Sequence, residues 1–395
     1  KRLLLMQNKI PHINPSITFN KLNDKEFILC NILHKHYLKI NKDTYDLLSL
    51  IDNERSLQEI CELHNQQSEK KITVNALHFL LYNKLSKYGL LEGEEEQIKP
   101  YQKPSYLKLS FIIFSKRFIA KITPSLHFLF RKKIAWLILF VCTMVIGTEL
   151  YLLLDGYKSF KVQESVIFFL VVMAISVTFH ELGHATAASH FGAEHGGIGG
   201  GFYLFTPVYF ADVTDVWRLK KWQRVVVNCA GMYFEIIFCT LLSLVGLLLG
   251  QISLTLIAII VCLHTFFNLN PFLRSDGYWI LSDITNKPNL LQHSFRKIGD
   301  IFRMIKGKKV QWTKIDFLLL VYGLISYSFI VLFVYYVLFK NPNSILHFPQ
   351  NLYHFLKSLC NKDATISLVS FGELIVPMLF FYLLFSFLKG IFREK

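Results

Sequence analysis

Phe179-His180-Glu181-Leu182-Gly183-His184 decides how this chain is read. On an α-helix, histidines four residues apart lie on one face a turn apart, so both imidazoles can reach a single ion. The glutamate between them can then face water at that ion. The H-E-x-x-H spacing is that of a Zn²⁺ site in which two histidines are ligands and the Glu is a general base. The helix that carries it is almost uninterruptedly apolar from residue 165 to 189. Ser176, His180, Gly183, His184 and Ala187 share one side of it, and that side must turn inward, because ionisable groups facing lipid are costly.

The rest of the chain agrees with a membrane setting. Hydrophobic residues make up 52% of the sequence and the mean hydropathy is positive, more than a soluble core of this size needs. Segments close to the ~20 residues a bilayer demands lie at 134–154, 165–189, 225–249, 253–272, 315–339 and 366–388. The fold class expected is therefore mainly α, a polytopic helix bundle of about six spans. The net charge of +15 does not argue for nucleic acid, because the basic residues gather at the ends of apolar spans. Arg274, Lys287, Arg296, Lys297, Arg303, Lys306, Lys308, Lys309 and Lys314 mark one loop as cytosolic, which puts both termini on that side. The seven cysteines are scattered without disulfide or metal spacing and read as packing residues. No cleavable signal pattern opens the chain, so the first span is expected to direct its own insertion.

Ahead of the spans, residues 1–97 read as a small α+β soluble domain. Phe27–Asn31 and His36–Ile40 suggest strands, and residues 44–51 a helix. Ser56-Leu57-Gln58-Glu59 is a capping box opening a second helix. Residues 74–88 form a third, with Leu77, Leu80, Leu81 and Leu85 at helical spacing and Gly89 as its C-cap. Residues 98–133 read as a linker followed by a basic amphipathic helix on the membrane surface, broken near Pro124. The domains expected after that are 134–285 (metal-bearing core), 286–314 (basic cytosolic loop) and 315–395 (two further spans and a tail).

Two histidines do not complete a catalytic zinc site, which usually has three protein ligands. Asp276, Glu235, His264, Asp212, Asp215, His195 and Glu194 are the candidate third donors. Asp276 is favoured because the second and fourth spans cross in the same direction, which brings it to the side of His180 and His184. Asn268 and Asn270 could orient substrate or an oxyanion, or else satisfy backbone freed at Pro271. The segment Gly196-Gly197-Ile198-Gly199-Gly200-Gly201 and its aromatic continuation to Phe210 is too broken for a span. It is expected to be a re-entrant hairpin or strand, with Gly199 and Gly200 presenting an edge to an extended substrate. His264 is expected to be packed and hydrogen-bonded.

These motifs carry two resemblances. H-E-x-x-H late in one membrane helix, followed by Asn268, Pro271, Asp276 and Gly277 in the pattern N-x-x-P-x-x-x-x-D-G, resembles the site-2 protease family of intramembrane zinc metalloproteases. The resemblance implies His180, His184 and Asp276 as ligands of one zinc ion and Glu181 as catalytic base. Where many members have A-G-P-x-x-N, this chain has Ala230-Gly231-Met232-Tyr233-Phe234-Glu235, which leaves Glu235 to take over whatever the missing Asn does. With Asp215-Val216-Trp217-Arg218, this looks like the peptide zinc metalloprotease branch. The strand pair, the capping box and the Gly89-Leu90-Leu91 ending resemble PqqD-like domains, winged-helix-like units that hold the leader of a ribosomally made, modified peptide (RiPP).

Together the resemblances imply a multi-pass protease of the bacterial cytoplasmic membrane that matures such a peptide, with an exporter as a possible companion and membrane lipids around it. Two other readings stay open: regulated intramembrane proteolysis of a membrane-anchored signalling protein, and a non-proteolytic transport or immunity protein that keeps the fold.

Overall fold

The computed structural model describes residues 7–93, 98, 108–156, 166–203, 206–272, 275–287, 289–307, 309–310, 312–359, 374, 376–381 and 384–385. It separates into two compact units. One comprises Lys1–Ser105, Phe111–Gly200 and Tyr209–Asn286, the other Tyr106–Ser110, Gly201–Val208 and Lys287–Lys395.

In the first unit the N-terminal region forms an antiparallel sheet of β1 (Ile17–Asn23), β2 (Glu26–Asn31) and β3 (His36–Asn41), in that order. Phe19, Leu29 and Leu38 stand opposite one another on one face. That face packs on α1 (Lys42–Ser49), α2 (Leu57–Gln67) and α3 (Val74–His78), where Leu48, Leu57, Leu77 and Leu81 are fully buried. The capping box at Ser56 and Glu59 is present. Gly89 takes φ +75°, and Asn31 Nδ2 donates to the carbonyls on both sides of that turn, which fastens it to β2. The helix expected over 74–88 is α-helical only to His78, then a π turn to Leu85 and a 3-10 turn to Tyr88.

The opposite face of the sheet, with Thr18, Cys30 and Tyr37 in register, is covered as well. Tyr37 Oη donates to Asp215 Oδ1 at 2.9 Å, and Lys35 Nζ pairs with Asp212 Oδ2 at 2.7 Å. Both acceptors belong to the turn that follows the glycine-rich hairpin. The sheet thus lies between its own helices and the metal-bearing part of the same unit.

Residues 108–114, expected to begin an amphipathic helix, form a strand, β4 (Lys108–Phe114). A run of β-prone apolar residues, Phe111-Ile112-Ile113-Phe114, and a partner strand outweigh the helical reading. The helix starts only at α4 (Lys116–Leu126), capped by Ser115, and it gives way to a 3-10 turn at His127, close to the break expected near Pro124. The glycine-rich segment is a hairpin, as expected, of β5 (Ile198–Tyr203) and β6 (Thr206–Ala211). The strand order is β4-β5-β6. Then come α5 (Lys132–Gly156), α6 (Val166–His190), α7 (Lys221–Leu248), α8 (Ile252–Phe267) and α9 (Asp276–Thr285).

Four described helices are long and apolar enough to cross a membrane: Lys132–Leu152, Phe168–His190, Lys221–Leu248 and, in the second unit, Lys314–Lys340. The first has Trp136, Leu137 and Phe140 bare, as a helix facing lipid would. The fourth expected span is shorter than predicted. α8 ends at Phe267, and from Asn268 the chain turns through Pro271 into α9 instead of continuing. The sixth expected span, at 366–388, lies largely outside the described residues, as do most of the linker and the C-terminal tail.

The second unit contains the amphipathic α10 (Leu290–Ile305) packed on α11 (Lys314–Tyr335), then α12 (Asn343–Leu346) and α13 (Phe348–Leu359). Gly323 lets the two larger helices approach, since a Cβ there would lie 3.1 Å from the Ser294 carbonyl. Lys297 bridges Asp300 and Asp316 at 3.3 and 3.1 Å.

Candidate metal centre

α6 and α7 cross where both carry glycine. A Cβ on Gly183 would collide with the Ala230 carbonyl, and one on Gly231 would stand 2.5 Å from Nε2 of both His180 and His184. These two positions therefore require glycine: the first lets the helices touch, the second leaves room for the imidazoles. Small residues of α6, Ala187 and Ala188, fill the same crossing beside Val227 and Ala230.

Each imidazole is held from behind. His184 Nδ1 lies 2.8 Å from the Val227 carbonyl, and His180 Nδ1 lies 2.9 Å from Glu235 Oε2. With the Nδ1 positions engaged, the two Nε2 atoms face each other at 3.1 Å. Asp276, first residue of α9, comes up to them: Oδ2 is 2.9 Å from His180 Nε2 and Oδ1 is 3.4 Å from His184 Nε2. α9 is held in turn by Arg224 of α7, whose Nε meets Asp283 Oδ1 at 2.6 Å, and by Asn228, which donates to Asp283 Oδ2 at 2.9 Å. The amide of Gly277 donates to the Asn268 carbonyl at 2.7 Å, which ties the start of α9 to the end of α8.

His180, His184 and Asp276 form a group of side chains that could hold one ion. Ligands about 2.0–2.1 Å from a tetrahedral zinc lie roughly 3.3 Å from one another, close to the three separations seen here. Asp276 Oδ2 is buried without a hydrogen-bond partner, as an oxygen suited to a cation would be. The donor set of two imidazoles and a carboxylate fits zinc. Glu181 is buried beside the cluster, near enough to feel all three donors, with the backbone amide of Ala211 at its carboxylate.

The other candidate donors point elsewhere. Asp212 is engaged by Lys35 and Thr214, and Asp215 by Tyr37, Arg218 and the Glu194 amide. Glu194 pairs with Lys116, and His195 sits between Thr123 and the Gly196 carbonyl. His264 lies on the exposed side of α8 instead of being packed, and Glu235 occupies the far nitrogen of His180.

Asn270 Oδ1 accepts from the Phe272 amide and its carbonyl accepts from Ser275 Oγ. The Asn270 side chain thus serves the broken backbone, whereas Asn268 bonds Gly277 through its backbone carbonyl, a contact open to any residue. Gly199 and Gly200 face Phe111 of β4, Gly199 also the Phe210 ring, so their missing side chains admit neighbouring strands. With β5 in the middle of its sheet, the free strand edges belong to β4 and β6. The reading from sequence missed Gly231, the Val227 carbonyl and the Arg224–Asp283–Asn228 clamp. Of these only Gly231 left a local signal, its place one turn before Glu235.

No family model matches this chain, and no solved structure matches it. Over 206 residues it is 25% identical to a protein of Bacillus subtilis (strain 168), YydH, whose name describes a candidate peptide zinc metalloprotease; the match takes in 49% of this chain and 79% of that one. The similarity supports a protease that uses zinc, and the apolar helices mark a membrane protein.

Proposed function

We propose that this chain is a membrane-embedded zinc endopeptidase of the site-2 type. It cuts a peptide near the cytosolic side of the bilayer, in the maturation of a ribosomally synthesised, modified peptide whose leader is held by the N-terminal domain. The observation that carries the reading is the convergence of His180 Nε2, His184 Nε2 and the Asp276 carboxylate, with Glu181 alongside.

His180, His184 and Asp276 would hold the ion. When bound there, zinc supplies a Lewis acid for the scissile carbonyl and lowers the pKa of water toward ~7. Glu181 is the one carboxylate of the cluster not turned to an imidazole. It takes the proton from the attacking water and returns it to the leaving amine. The Ala211 amide lies toward its carboxylate, which places the end of β6 beside the base. An extended substrate added at the β6 edge would run past that base.

The leader reading is supported by the N-terminal sheet, whose outer strands β1 and β3 each have one unpaired edge in that sheet. Its docking residues, Lys35 and Tyr37, bind the turn directly after β6. A leader captured on this domain would thus be tethered a short distance from the base, which raises the effective concentration of the cleavage site.

Full-length protein in proteoliposomes, supplied with precursor peptides encoded beside its gene, tests the proposal. Cleavage is expected to need the leader and to fall about 10²–10⁴-fold in Glu181→Gln with zinc retained. Equal cleavage by the variant would overturn the reading. Cleavage of a membrane-anchored protein without any leader would favour the signalling alternative.

A further inference from the structure

The two imidazoles of the cluster are backed differently. Behind His184 stands a neutral carbonyl, that of Val227; behind His180 stands a carboxylate. Glu235 is 1% exposed. Its Oε1 accepts from Ser176 Oγ at 3.0 Å, one helical turn before His180 on the same face of α6. Ser176 thus holds one oxygen of this α7 side chain, and the other is aimed at His180 Nδ1.

We propose that Glu235 is a positioning residue for the metal: it holds His180 in the Nδ1–H tautomer, sets the ring's rotation and strengthens Nε2 as a donor. This rests on the reading of His180, His184 and Asp276 as the ligand set, and it deepens that reading.

A neutral imidazole that ligates through Nε2 must carry its proton on Nδ1, and an acceptor there locks both tautomer and orientation. A carboxylate does more than a carbonyl, because its charge draws the Nδ1 proton and leaves Nε2 richer in electrons. Charge balance points the same way. Two buried carboxylates, Glu235 and Asp276, match the two charges of a divalent ion in surroundings where unpaired charge is costly. Glu181 is then left free to gain and lose a proton.

The geometry also removes the other roles open to Glu235. Its place behind the ring, on the nitrogen opposite the one facing Asp276, keeps it from ligating the same ion and from touching substrate.

Zinc affinity of the purified full-length protein, measured by competition with a chromophoric chelator, separates positioning from packing when read beside the melting temperature of the metal-free form. Glu235→Gln keeps the shape and an oxygen for Nδ1–H but loses the charge. It is expected to bind zinc about 10–100-fold more weakly while the metal-free protein melts as wild type does. Ser176→Ala, which removes one anchor of the carboxylate and not the carboxylate itself, is expected to weaken binding less and covers the case in which Glu235→Gln fails to fold. Wild-type affinity in both variants would overturn the proposal. So would a loss confined to the metal-free melting temperature. Failure of the wild type itself to bind zinc would instead sink the ligand set.

Discussion

Leu29, Leu48, Leu57 and Leu81 of the N-terminal domain are sealed from water among other apolar side chains. His180, His184 and Glu235 are sealed almost as completely, yet with polar partners at nearly every nitrogen and oxygen. The first kind of core is cohesive through area, and any of its members can be trimmed at a graded cost. The second is cohesive through direction. Each polar atom has one partner at one distance, and losing that partner strands a buried group. The chain thus keeps a tolerant, leucine-built module beside an intolerant one. The two are joined by a small polar contact, Tyr37 and Lys35 on Asp215 and Asp212.

The sharpest way to break this contrast is at the clamp that holds α9. Arg224→Ala leaves the Asp283 carboxylate buried without its partner. Removing half of such a pair costs about 3–5 kcal/mol, and the loss should appear as a lower melting temperature together with weakened zinc binding, since Asp276 begins the same helix. Normal zinc affinity in that variant would show that the clamp does not serve the site.

In the leucine core, Leu48→Ala is expected to cost ~2–5 kcal/mol. That loss should stay local, seen as faster proteolysis within residues 17–91 with zinc content unchanged. A concurrent loss of zinc would mean that the two regions are not independent.

The smallest effect is expected at the junction. Burial alone would raise the Asp212 carboxyl, but Lys35 and the Thr214 hydroxyl outweigh it and hold the group below its ordinary range. A depressed carboxylate stabilises fully above its unfolded pKa, about 4, and loses that contribution as the pH falls through the folded value. Because the pair is partly exposed, Lys35→Ala should cost under ~1 kcal/mol at pH 7. The difference from wild type should shrink as the pH falls below about 4, as melting curves at pH 7 and pH 3 would show.

Much of this was legible in the residues alone, for physical reasons that can be named. H-E-x-x-H declares itself because helical spacing is local. Ser56 and Glu59, and Gly89, do so because caps are decided within one turn. β1 was not anticipated: Asn20, Lys21 and Asn23 dilute its alternation, and only pairing with β2 makes it a strand. β4 was read as helix because Phe111 and Phe114 with nearby lysines also suit an amphipathic helix; its partner strand lies more than eighty residues on.

A separation of 59 residues likewise hid the Arg224–Asp283 pair. Glu235 was visible as an ionisable group in an apolar span. Which side of His180 it takes is a matter of helix rotation, which no spacing encodes.

The central claim is that His180, His184 and Asp276 share one ion. Zinc K-edge X-ray absorption on the purified full-length protein, with metal counted per chain, tests it most directly. The account predicts one zinc per chain, a shell of nitrogen and oxygen near ~2.0–2.1 Å with imidazole scattering, and loss of that signal in Asp276→Ala. A sulfur shell near ~2.3 Å, or full zinc occupancy in Asp276→Ala, would contradict it.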